Sequence, residues 1–437
     1  MPRRQHIGLP LATLLVAGNM IGSGIYLLPA SLARIGSITL IGWMLATIGA
    51  LLIAAVLSHL GRMSPLAGGL CSYADEALGP YVGFQANIFY WTCAWIGNIA
   101  IALAAVGYLG ALIPWFGQHT ALGVIALIWI ATAINIFGPR FACQVQSTAL
   151  LVGLIPILLV ALGGWFWFHP GTFIAGWNVS GQSATSSISG SLVLVFWAFV
   201  GLESASLGTA IVENPKRNVP LATYLGVLLA AVVYIASCTA MFGMIPASVL
   251  MKSMAPFADA AHMMIGPYSG IIALLAFIKA SGTLCGWVLL TAQVGKAAAD
   301  RGLFPAFLGR VDRGGVPALN LCVMAALMSV VTALTATGTL AEQFSRLIEM
   351  SVLLCVATYM FACIAVWRDG GRGGSSFSNE RAIALAALLF CAYLVVESGA
   401  QMLLVFGAFA ACTSVLYVVA LRERQAVPKD RNSISPL

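Results

Sequence analysis

Charge is what this sequence has least of. Only 8% of its 437 residues are charged, against about 25% in a soluble domain, while 60% are hydrophobic and the mean hydropathy is +0.97. Water cannot be the main solvent of such a surface. Nucleotide signatures are missing too. With no Walker-type loop and no GxGxxG, nothing here points to ATP-driven pumping or dinucleotide chemistry, and without GxSxG there is no hydrolase elbow. No CxxC pair occurs. Eight of the ten cysteines (Cys93, Cys238, Cys285, Cys322, Cys355, Cys363, Cys391 and Cys412) sit singly in apolar runs and read as small core residues. Five histidines, scattered near the ends of apolar runs, make no metal site. Neither a metal nor a cofactor is implied. The formal charge of +7 invites a nucleic-acid reading, but the basic residues lie in short loops between apolar runs, where membrane topology explains them.

What is present is a series of spans. A hydrocarbon core takes about 20 apolar residues per helix. Gly, Pro and charge punctuation divides the chain into twelve, near 9–33, 38–59, 81–113, 120–138, 144–168, 187–211, 220–245, 268–294, 317–338, 346–367, 382–401 and 402–421. Arg3 and Arg4 resemble the start of a cleaved signal, but the apolar run behind them is long and followed by many more, so a retained first helix is expected. With a cytoplasmic N-terminus, 17 of the 21 basic residues fall on the cytoplasmic side. Arg34, Lys252 and Arg346 fall opposite, and Lys279 lies inside a span. Both termini are then cytoplasmic. The fold expected is an all-α membrane protein forming one transmembrane domain over residues 1–437.

Two spans are interrupted alike. The first carries Gly18, Asn19, Gly22, Ser23 and Gly24 at mid-depth; the sixth carries Gly201, Glu203, Ser204 and Ser206. Glycine costs about 1 kcal/mol against alanine in a helix, so both invite unwinding. Irregular backbone at this depth belongs where it lines a cavity. Five spans separate the breaks, and an odd offset inverts the second unit relative to the first. The pattern predicts inverted five-helix repeats over about 9–168 and 187–367, with two extra helices over about 382–421.

Five blocks carry a resemblance: GNMIGSGIYLLPASLA, YWTCAWIGNIA, LVGLIPI…GWFWF, WAFVGLESAS…VENPKRNVPLAT and GWVLLTAQVGKAAADRGLFP. In order and spacing the chain resembles the basic amino acid/polyamine antiporters of the amino acid–polyamine–organocation superfamily, within them most the arginine/agmatine exchangers. The resemblance implies a carboxylate site at Gly22, Ser23 and Gly24, with Asn19 beside it. It implies an ammonium site at backbone carbonyls near Trp197 and Val200. Trp197 and Trp287 are the aromatic partners for a cationic side chain. Asn98, Ile101 and Ser351 match positions around the distal pocket, and Ser351 leans the choice toward arginine. Tyr90 and Tyr359 match gating positions. Glu203, a carboxylate in mid-span, is the candidate latch or pH sensor.

The chain also departs from the pattern. Lys279 stands mid-span where the arginine exchangers carry small residues, which makes it a possible coupling site. Pairing with Glu349 or Glu397 is one expectation for it. Ile101 replaces a longer thioether, and Thr358 replaces a proline beside Tyr359. The expected activity is arginine/agmatine exchange at one alternating site, consuming a proton per cycle when paired with a cytoplasmic decarboxylase, as in acid resistance. Lysine/cadaverine exchange, ornithine/putrescine exchange, proton-coupled uptake and a transport-inactive nutrient sensor are the rivals. A bacterial inner membrane is the expected location, the lipid bilayer the expected surrounding, and a homodimer is implied by resemblance.

Overall fold

The structure, a computed structural model, describes residues 8–22, 24–63, 70–203, 212–312, 315–369 and 377–426. Among these residues the chain is all-helical, and ten helices are long and apolar enough to cross a membrane. A bent pair, α1 (Leu9–Met20) and α2 (Gly24–Leu32), turned by 49°, passes the same test only when taken together. The break falls at Ile21–Gly22, where the helical ladder ends and Gly22 N–H turns back to Met20 O at 2.6 Å. Ser23 lies outside the described residues.

A shorter apolar helix stands where the sixth span is expected. Helix α8 (Ala184–Phe196), capped by Ser183, tightens into a 3₁₀ turn at Trp197–Phe199 and then stops. Val200 is extended, and Gly201 takes φ +107°, a region that favours glycine. The rest of that expected span, 204–211, lies outside the described residues.

Between these breaks run α3 (Thr39–Met63), α4 (Leu70–Leu78), α5 (Pro80–Leu112), α6 (Thr120–Phe137) and α7 (Pro139–Leu158). Helix α7 is longer than expected at its start. Pro156 removes a ladder donor, and the helix continues as a π turn at Leu159–Gly163 and a 3₁₀ turn at Gly164–Trp167. Helix α4 is short, amphipathic and absent from the span pattern, because nine residues cannot cross a bilayer. After α8 come α9 (Pro215–Met244), α10 (Pro256–Ile265), α11 (Ser269–Asp300), α12 (Ala318–Thr335), α13 (Leu340–Asp369), α14 (Phe377–Glu397) and α15 (Gly399–Ala426). The turn expected between the last two spans falls at Ser398–Gly399, with Gly399 at φ +80°.

Helix α5 is the axis of the protein. It is buried from Gly83 to Tyr108 apart from Ile88 and packs against α11 and α13, while α3 packs on α9, α8 and α14. In lipid there is no hydrophobic drive between helices, so close approach through small residues must hold them together. Helices α7 and α11 show it. A Cβ added at Gly282 would lie 2.1 Å from Ala149 Cβ, and one at Gly286 2.1 Å from Gln146 Cδ. Gly282→Leu is therefore expected to pry α7 from α11, at about 1–3 kcal/mol or more for the forced overpacking. Folded yield and melting temperature in detergent check this. Gly190→Leu, where nothing lies within 4 Å, should change neither.

Candidate functional site

The two breaks meet at one cavity. Asn19, Gly22 and Gly24 line it from the first break, and Trp197, Ala198 and Val200 from the second. Helix α5 contributes Tyr90, Cys93, Ala94, Gly97, Asn98 and Ile101, and α11 contributes Thr283 and Trp287. Including its open mouth, the empty space is about 510 Å³.

Trp197 is held as a wedge. A Cβ at Gly24 would stand 2.6 Å from its Nε1, and a Cβ at Gly97 would stand 2.6 Å from its Cη2. Only glycine on both sides leaves room for the ring. Trp287 lies over the second break, with its Cζ2 3.5 Å from where a Gly201 Cβ would be. Thr283 faces Gly22, with its Cγ2 3.4 Å from a Cβ built there.

Asn98 is fully buried. Its Nδ2 donates to Thr291 Oγ1 at 3.4 Å, and its Oδ1 has no partner. A buried acceptor left open costs about 1–3 kcal/mol, so it is a ready place for a donor on a bound molecule.

Glu203 is enclosed by donors. Tyr90 OH donates to Oε1 at 2.7 Å, while Tyr359 OH and the Gly201 N–H donate to Oε2 at 2.6 Å and 3.1 Å. The carboxylate is 3% exposed and Tyr359 fully buried. Beyond this cluster lies a second cavity lined by Cys71, Asn87, Gln293 and Arg301, whose wall Tyr90 and Glu203 share. The three residues expected to gate are thus one hydrogen-bonded unit, of which Tyr90 lines both cavities. Their chain separations, 113 and 156 residues, hide that from any local pattern.

Two expectations need correcting. Ser351 does not line the cavity. It is fully buried behind Gly97, and its hydroxyl donates to Cys93 O at 2.8 Å. Lys279 does not line it either, and it forms no ion pair with Glu349, Glu397 or any other described residue. It packs instead against α7, where a Cβ at Gly153 would stand 2.0 Å from Lys279 Cβ. Two further lining residues, Gly97 and Thr283, are not among those that the resemblance implies. Both were within reach of helical periodicity: Tyr90, Cys93, Gly97 and Ile101 share one α5 face, and Thr283 sits one turn from Trp287. Among the described residues no group of three or more His, Cys, Asp or Glu is placed to hold a metal ion.

Residues 7–420 match the family model described as amino acid permease. The chain is 36% identical over 446 residues to a cadaverine/lysine antiporter of Escherichia coli strain K12, covering 100% of this chain and 99% of that protein. It is 33% identical over 410 residues to the putrescine transporter PotE of the same strain, covering 92% and 93%. A third relative, the putrescine transporter PotE of Haemophilus influenzae, is 32% identical over 411 residues, covering 92% and 94%.

Proposed function

The chain belongs to the amino acid permease family, on the side of the basic amino acid/polyamine antiporters, and from that premise we propose that it exchanges a cationic amino acid for its decarboxylated amine by alternating access. It is a multi-pass membrane transporter, not an enzyme. The observation that carries the reading is the single cavity at the meeting of two helix breaks. The first amides of α2, with Ser23, take the carboxylate as a helix N-terminus takes an anion. Carbonyls freed where α8 stops take the α-ammonium. Trp197 and Trp287 offer indole faces to the cationic side chain, worth about 0.5–2 kcal/mol, and Asn98 Oδ1 accepts from its distal nitrogen. Glu203, with Tyr90 and Tyr359, closes the site toward the second cavity.

Ser351, which leans the resemblance toward arginine/agmatine, has its hydroxyl already given to Cys93 O. The named relatives handle lysine and cadaverine or putrescine, which supports lysine/cadaverine as the first pair to test, ahead of arginine/agmatine and ornithine/putrescine. We also read the chain as an inverted repeat over about 9–168 and 187–367, placed in a bacterial inner membrane with both termini cytoplasmic, and dimeric. Uptake of labelled lysine, arginine and ornithine into proteoliposomes loaded with each amine, or left empty, tests the proposal. Uptake should require loading and should be strongest for one amino acid with its own amine. Equal uptake into empty liposomes would refute exchange.

A further inference from the structure

Lys279 is 3% exposed, in mid-span, on a helix that lines the site, and it has no ion-pair partner among the described residues. A charge in that position is costly to keep, so a use for it is the default expectation. The acids nearest in role are otherwise engaged. Glu203 holds three donors, Asp259 takes the Ser253 hydroxyl, and Glu349 and Glu397 form no ion pair with the lysine. No acidic side chain among the described residues therefore neutralises its charge.

Its place is specific. One helical turn separates Lys279 from Thr283, about 6 Å along α11, and Thr283 faces Gly22 at the first break. Across the seam, the lysine stem passes over Gly153, and the carbonyl of Gly153 accepts the Tyr26 hydroxyl at 2.5 Å. Tyr26 belongs to the first turn of α2. Lys279 thus stands one side-chain layer from the helix start whose free amides already carry partial positive charge.

We propose that Lys279 sets the preference of the site for the carboxylate-bearing partner: its ammonium and the first amides of α2 form a positive pole that the amino acid satisfies and its decarboxylated amine leaves unpaired. This rests on the exchange reading above. The amino acid brings an anion to that pole, whereas the amine brings none and adds no compensating contact. Discrimination built from a group left unsatisfied by the wrong ligand is often larger than that built from added contacts. It also serves exchange, because an amine held less tightly than the amino acid is released when the amino acid is offered. The tenfold preference expected of this pole corresponds to about 1.4 kcal/mol.

The test uses the purified full chain in detergent and equilibrium binding of lysine, lysinamide and cadaverine, with the arginine series run in parallel. Lysinamide keeps both amines and lacks only the carboxylate charge. The wild type should bind lysine at least about tenfold tighter than lysinamide or cadaverine. Lys279→Gln and Lys279→Met should shrink that ratio several-fold, and Lys279→Arg, which keeps the charge, should preserve it. A structural role alone would weaken all three ligands together. A wild type that binds lysinamide as tightly as lysine overturns the proposal without any variant, and so does a folded Lys279→Gln with the wild-type ratio. A wild type that binds none of the three, in either series, sinks the exchange reading and this proposal with it.

Discussion

Glu203→Ala is expected to cut coupled exchange by a hundredfold or more and to open a leak. The substitution removes the acceptor for Tyr90 OH, Tyr359 OH and the Gly201 N–H at once. Each buried donor left unpaired costs about 1–3 kcal/mol. Together they exceed the roughly 2.7 kcal/mol that corresponds to a hundredfold change. That cost falls on the closed arrangement, in which Tyr90, the wall common to both cavities, is held by Glu203. Efflux from loaded proteoliposomes with no substrate outside should therefore rise as exchange falls. Glu203→Gln should be intermediate, since its amide keeps one accepting oxygen but turns an NH₂ toward donors. An alanine variant with normal exchange and no leak would remove the latch from the account.

Gly97→Val should be comparably severe for a different reason. Trp197 is confined by Gly24 and Gly97, so a side chain at either position cannot be relieved by sliding the ring toward the other. The indole has to swing into the cavity, where it occupies the place of the ligand. Loss of binding by about a hundredfold is expected, because the ring already borders the cavity and is pushed toward the place of the ligand. Trp197→Leu should restore room in the Gly97→Val background while staying weak on its own, for want of the cation–π contact. Equilibrium binding on the single and double variants separates these outcomes. Normal affinity in Gly97→Val would show that the ring does not need the glycine.

Much of this could be read from the chain because lipid leaves so few alternatives. Backbone groups in a bilayer must pair within the span, so Gly22 and Gly201 could be picked out as breaks from composition alone. Glu203 stood out because carboxylates are scarce inside spans. What the sequence could not supply was rotation about each helix axis. Ser351 and Gly97 lie on facing helices, and only their packing shows that the glycine lines the cavity while the serine sits behind it, bonded to Cys93 O. Lys279 failed in the same way. Its neighbour across the seam is Gly153, a residue without charge, and no pattern in either helix announces that pairing. Helix α4 was missed since a single amphipathic turn or two in a connecting segment carries no span signal.

One measurement reaches the central claim whichever amino acid is transported. Lysine, arginine and ornithine each carry one net positive charge, and their decarboxylated amines carry two. One-for-one exchange of amino acid inward for amine outward therefore moves one positive charge out per cycle. Uptake of labelled amino acid into amine-loaded proteoliposomes, with the membrane potential clamped, should speed up when the inside is positive and slow when it is negative. Exchange of the amino acid for itself should ignore the potential. Amine-loaded uptake that is indifferent to the potential, or uptake that proceeds without any amine or amino acid inside, would contradict the account.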